Sequence, residues 1–200
     1  MYSTTVYRKN RGKKYSLLLF LIIFALILAG TYSYYHPDEL LFFFARKNTY
    51  DKIIRDAAAR HGIEPELIKA VVWQESRFDP NVKGDRGEVG LMQIRPEKGA
   101  VEEWRKTYGA TIRCKGILFR PELNIEIGSW YLARAMKNWS GYKYQYELAL
   151  SEYNAGRRGM RPWVPDSFDG KVIDKITISS TKKYVQSVMK QYRLYKGKNH

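Results

Sequence analysis

From Leu17 to Ala29 the chain reads LLLFLIIFALILA, an unbroken apolar run, and no charged side chain occurs between Tyr15 and Tyr35. Such a stretch approaches the roughly 20 residues that cross a bilayer as a helix. Arg8, Lys9, Arg11, Lys13 and Lys14 precede it and no basic residue follows closely. That asymmetry predicts a cytoplasmic N-terminus, with everything beyond the span outside. A cleaved signal peptide shares the basic start and apolar centre. No A-x-A-like cleavage site follows, however, and no cysteine is present there for lipid attachment, so an uncut single-pass anchor is the expectation. In HPDELLFFFARKN, residues 36–48, a second apolar patch from Leu40 to Phe44 is too short to cross and reads as an interfacial or docking segment.

Beyond residue 49 the apolar spacing turns helical. Tyr50, Ile53, Ile54, Ala57, Ala58 and His61 recur at three and four, and Gly62 is placed to end that helix. Pro65 suits the first turn of the next helix, which carries Leu67, Ile68, Val71 and Val72 toward Glu75. Further helices are predicted from about Pro121 to Trp139, from Tyr146 to Asn154 with a stop at Gly156, and from about Thr181 to Tyr195. Strand signals are weak and confined to Thr111–Phe119 and Val172–Ile178. The expected organisation is a basic cytoplasmic tail (1–14), a membrane span (15–35), a linker (36–48), one mostly α domain (49–195) and a short tail (196–200).

Composition refines this picture. Hydrophobic residues at 44% and charged residues at 28% argue against a disordered chain. The single cysteine, Cys114, cannot close an internal disulfide or supply a cysteine-rich zinc site, and His36, His61 and His200 stand apart, so neither metal nor cofactor is expected. Five of the fifteen excess positive charges precede residue 37, which leaves ten on the remainder. That balance suits a polyanion of any kind. A basic nucleic-acid binder is one reading, but an extracytoplasmic topology argues against nucleic acid and for a wall polymer bearing carboxylates and phosphates. Sixteen tyrosines and five tryptophans exceed what a core of this size needs, which predicts aromatics along a groove.

The candidate chemistry begins at Glu75. On the helix opened by Pro65 the stripe Ile68, Val71, Val72 has Glu75 as its next member, so an acid continues the buried face. The plain alternative is a helix end at which Glu75 meets water or pairs with Arg77. Asp79-Pro80-Asn81 then forms a turn, and Gly84, Gly87 and Gly90 precede Leu91-Met92-Gln93-Ile94. Glycines let a backbone pass close to a ligand, and Met92 and Gln93 offer an apolar wall and an amide. No Gly-Lys-Ser/Thr follows, so this is not a phosphate-binding loop.

Taken together, Glu75-Ser76-Arg77-Phe78, Gly87-Glu88-Val89-Gly90-Leu91-Met92-Gln93-Ile94, Asn124-Ile125 with Gly128, Ala149-Leu150-Ser151-Glu152-Tyr153-Asn154-Ala155-Gly156 and Tyr184-Val185 resemble the soluble lytic transglycosylase (SLT) domain. Goose-type lysozymes share its lysozyme-like fold. The resemblance covers about residues 49–195 and implies cleavage of the β-1,4 bond between N-acetylmuramic acid and N-acetylglucosamine in peptidoglycan glycan strands, with formation of a 1,6-anhydro ring and without water. It assigns Glu75 as acid and then base, Ser76 to orient its carboxyl, and Met92 and Gln93 to line the cleft. Tyr153 and Asn154 would bound the site, and Tyr184 would hydrogen-bond the acid or the substrate.

The sequence also departs from the family pattern. Ile176-Thr177-Ile178-Ser179-Ser180-Thr181 lacks the proline and the acid that many relatives carry before the late Tyr-Val. Asp85 or Glu88 would be the second carboxylate of a hydrolytic, goose-type muramidase, and a peptidoglycan-binding module without catalysis is the remaining alternative.

Overall fold

The computed structural model describes residues 6–35, 46–109 and 115–197. It divides into two compact units, one ending at Ala45 and one starting at Arg46. The first holds helix α1 (Val6–Tyr35). Its window Tyr15–Tyr32 has a mean hydropathy of 2.3 and none of it is buried, so by length and composition the helix can cross a membrane. Leu40–Phe44, His36, Cys114 and His200 lie outside the described residues.

The second unit is helical. One turn at 46–49 leads into α2 (Asp51–His61), which buries Ile54, Ala57 and Ala58 and ends at left-handed Gly62. Helix α3 (Pro65–Ser76) opens on its proline and buries Leu67, Ile68, Ala70, Val71 and Val72. These residues occupy most of its circumference, so α3 runs through the core and its neighbours pack around it. Helix α4 spans Ala100–Tyr108, α5 Pro121–Asn138, α6 Gln145–Met160 and α7 Ser179–Lys196, with 3-10 turns at Lys115–Phe119 and Arg161–Trp163. Helix α7 packs along α3 and α6, while α5 packs against α2, α4 and α6.

Pro121 starts α5 as expected, and Gly156, at φ 75° and ψ 153°, breaks the regular course of α6. The strand readings fail. Residues 110–114 lie outside the described part, Lys115–Phe119 is a 3-10 turn, and 172–178 runs through turn and extended backbone without a partner strand. Val172 and Ile176 are instead buried as anchors of an irregular segment. Among the described residues the only β pairing is two isolated bridges, Lys83 with Val89 and Val89 with Ile94. Helix α4 was not predicted, although Val101, Trp104 and Tyr108 follow a three-and-four spacing behind Gly99.

Candidate active site

Glu75 lies in the last turn of α3, where the central helix emerges from the core. The chain then makes an abrupt reversal. Arg77 and Phe78 both take positive φ, 52° and 65°, and Phe78 is fully buried. Left-handed backbone is costly for such residues, so burial of Phe78 and the stacking of Arg77 at 3.4 Å over the Trp73 ring hold this turn. The glycine loop follows. Gly84 N–H donates to Glu88 O at 2.8 Å and Gly90 N–H to Val82 O at 2.9 Å, which folds residues 82–94 into a knot.

One fully buried side chain ties that knot to the bundle. Asn124 of α5 accepts from Met92 N–H at 2.7 Å and donates to Val89 O at 2.9 Å and Leu118 O at 2.8 Å. Gly90 admits it: a Cβ there would meet Asn124 Nδ2 at 2.3 Å. Gly128 does the same for Met92, whose Sδ would stand 2.5 Å from an added Cβ. Thus Asn124, Gly90 and Gly128 set where Met92 and Gln93 sit.

The loop, α3, α6 and α7 converge on Glu75. The Glu75 carboxyl is pushed up to about 7, first by desolvation and further by the negative charge of Glu88, while the approach of the Tyr184 hydroxyl pulls in the opposite direction. Tyr184 Oη stops short of full hydrogen-bond geometry and is left buried without a partner. Tyr153 Oη donates to Met92 O at 2.9 Å, and its ring meets Tyr131 edge-on at 5.7 Å. Burial and the adjacent Glu75 raise both phenols well above their ordinary range, so both remain neutral donors.

Several expected residues do something other than first read. Ser76 Oγ donates to Val72 O at 3.0 Å, so its proton serves its own helix and not the Glu75 carboxyl. Gln93, at φ 48°, spends its amide N–H groups on Gly90 O and Val82 O, at 2.8 and 3.1 Å, and so braces the loop. Asn154 Oδ1 accepts from Thr181 Oγ1 at 2.8 Å, which links α6 to the start of α7, while the residue itself is exposed. The proline-free stretch 176–181, which leads into α7, contributes that Thr181 and also Thr177, whose Oγ1 accepts from Trp163 Nε1 at 3.0 Å.

The two acids weighed as water-positioning groups differ. Asp85 is an exposed turn residue. Glu88 has both oxygens engaged: Oε1 takes Arg95 Nε and a terminal guanidinium nitrogen, at 2.9 and 2.7 Å, and Oε2 takes Arg86 N–H at 3.0 Å. Burial alone would raise its pKa, but the Arg95 contact and the backbone donors hold it below the ordinary value. Its negative charge adds to desolvation, the larger effect, in favouring the protonated form of Glu75.

Sequence reasoning passed over Glu152. This fully buried acid, directly before Tyr153, accepts from Asn138 Nδ2 at 3.0 Å and Trp139 Nε1 at 2.8 Å. Arg134 stands 3.7 Å away and also pairs with Glu103. A groove of about 740 Å³ opens elsewhere, along Arg60–Glu64, Trp130–Lys137 and Tyr146, at the opposite end of α3 from Glu75. Its charges are largely paired, Arg60 with Glu126 and Glu64 with Lys196. Among the described residues no group of three or more His, Cys, Asp or Glu is placed to hold a metal ion.

The family model for the transglycosylase SLT domain matches residues 52–174. A soluble lytic murein transglycosylase of Salmonella typhimurium is 32% identical over 64% of this chain, which spans 20% of that protein. A membrane-bound lytic murein transglycosylase E of Buchnera aphidicola is 26% identical over 72% of this chain and 73% of its own length. Among solved structures, the lytic transglycosylase Slt of Pseudomonas aeruginosa, an inactive mutant with glutamine in place of one glutamate, matches at a TM-score of 0.66 and 28% identity. That match covers 76% of this chain and 24% of the larger one. The chain thus corresponds to one portion of the soluble enzymes and to most of the shorter, membrane-bound one.

Proposed function

The chain belongs to the transglycosylase SLT domain family, and on that premise we propose that it is a membrane-anchored peptidoglycan lytic transglycosylase with Glu75 as its one catalytic acid and base. The observation that carries the proposal is the setting of Glu75: a desolvated carboxyl at a helix end, flanked by two neutral tyrosines, with a pKa of about 7.

A glycosidic oxygen is a poor leaving group unless it is protonated as the bond breaks. Glu75 gives its proton to O4 of the departing N-acetylglucosamine while the bond from O4 to C1 of N-acetylmuramic acid opens. Now a carboxylate, it takes the proton of the muramic acid 6-hydroxyl, and O6 closes on C1. One bond is lost and one gained, the proton returns to Glu75, and no water is consumed. A pKa near neutrality suits a group that must act first as acid and then as base. Tyr184, with its unpartnered hydroxyl, is available to the substrate or to the Glu75 carboxylate once that forms. Met92 and Gln93 form the loop wall, and Tyr153 and Asn154 bound the site from α6.

An inverting hydrolase needs a second carboxylate free to activate water. The double engagement of Glu88 and the exposure of Asp85 favour the water-free route. For the anchor we propose a single pass by α1 with the SLT domain outside the cytoplasm. The basic residues ahead of the span support this topology, and the membrane-bound relative supports the association. The test is digestion of purified peptidoglycan with mass analysis of the products. Products lighter by one water, with 1,6-anhydro ends, are expected; reducing ends would establish the muramidase, and no release would leave only a binding module.

A further inference from the structure

Helix α7 carries five cations, Lys182, Lys183, Lys190, Arg193 and Lys196, and no acid. Lys196 is committed to Glu64, at 2.8 Å. Lys183, Lys190 and Arg193 are exposed and recur at helical spacing along one outer face, with Leu194, half exposed, beside them. The opposite face, Thr181, Tyr184, Val185, Val188, Tyr192 and Tyr195, is buried. The outer face is therefore a basic stripe with an apolar tip and no internal counter-charge on its own helix.

The direction of α7 gives this stripe a partner. Tyr192 and Lys196 bond Glu64 at the start of α3, Ser187 bonds Gln74, and Tyr184 approaches Glu75 at the end of α3, so α7 runs antiparallel to it. The active-site end of α7 is its N-terminus. At its C-terminus Lys47 Nζ lies 5.5 Å above the Tyr195 ring, so the domain's first residues pack beside the last turn of the stripe-bearing helix. Only residues 36–45 separate Tyr35 from Arg46, and extended chain of that length reaches no further than about 40 Å.

From this placement, and resting on the anchor reading above, we infer that the outer face of α7, through Lys183, Lys190, Arg193 and Leu194, docks on the anionic phospholipid surface of the membrane that α1 enters. Cations near such a surface are attracted over about a Debye length, and an exposed leucine adds apolar contact at the interface. Docked in this way, α7 lies flat. Glu75 faces its buried side, which holds the cleft about one helix diameter, roughly 10 Å, above the headgroups. Cutting is thereby directed to strands next to the membrane.

The experiment uses the full chain with a specific protease site placed within 36–45, reconstituted into vesicles of phosphatidylcholine alone or with phosphatidylglycerol. After cleavage of the tether, the share of freed domain that sediments with lipid is measured. The expected result is retention on phosphatidylglycerol vesicles at low salt, at least about fivefold above that on phosphatidylcholine, abolished in high salt. Retention falls several-fold in K183Q/K190Q/R193Q but not in K183R/K190R/R193K. Equal release from both lipids, or full retention of the glutamine variant, overturns the proposal. So does a freed domain that leaves lipid but sediments with insoluble wall sacculi through the same three residues. If the uncut chain itself fails to sediment with vesicles, the anchor reading falls and the docking surface falls with it.

Discussion

Replacing Glu75 by glutamine should stabilise the fold above neutral pH and leave it nearly unchanged in acid. An ordinary glutamate titrates at 4.5, and burial at the end of α3 raises Glu75 to about 7. The sign follows from linkage. With the folded pKa above the unfolded one, the protonated form is favoured by the fold, so this stability is fully present below about pH 4.5 and is lost as pH rises through about 7. Above pH 8 the folded protein must hold a desolvated carboxylate. The difference of about 2.5 units corresponds to roughly 3 kcal/mol, since each unit is worth about 1.4 kcal/mol. Glutamine has a similar shape and does not ionise. Urea unfolding of the full chain in detergent, wild type against E75Q, at pH 4 and pH 8.5 is the assay. The variant should gain about 2–3 kcal/mol relative to wild type between the two pH values. An equal difference at both would mean that Glu75 is not desolvated, and the acid chemistry would lose its physical basis.

Two substitutions should move the activity profile in opposite directions. Tyr184→Phe removes the hydroxyl that favours the carboxylate, so the alkaline limb of kcat/KM, which reports the free enzyme, should shift up by about one unit or less. Glu88→Gln removes a charge that opposes ionisation and frees Arg95, so the same limb should shift down; limbs that move together would contradict these electrostatics. Asn124→Ala strips partners from Met92 N–H, Val89 O and Leu118 O, and at about 1–3 kcal/mol per stranded buried group it should destabilise by roughly 3–9 kcal/mol in denaturant. A loss below about 1 kcal/mol would show that the loop does not depend on that tie.

The helices were legible because local chemistry punctuates them. Pro65 and Pro121 mark starts and Gly62 and Gly156 mark breaks, and the continued stripe to Glu75 exposed the acid. The same stripe hid how central α3 is, since burial around most of its circumference comes from neighbours distant in sequence. Segments 115–119 and 172–178 misled because branched and aromatic residues such as Leu118, Val172 and Ile176 anchor a buried 3-10 turn or irregular chain as readily as strands. The role of Asn124 was out of reach, because it depends on bonds to Val89 and Met92 more than thirty positions away. Nor did local sequence indicate that Arg77, Phe78 and Gln93 would take left-handed backbone, a conformation imposed by the loop closure around them. Gln93 read as a cleft amide because its type suits sugars; its partners turned out to be the loop's own carbonyls.

Bond cleavage in the proposed reaction rests on one carboxyl delivering and reclaiming a proton, and muropeptide release from purified sacculi by E75Q measures that directly. General acid catalysis contributes about a hundredfold to ten-thousandfold, so the variant should release anhydro-muropeptides at least a hundredfold more slowly than wild type while remaining folded. Release at the wild-type rate would contradict the account.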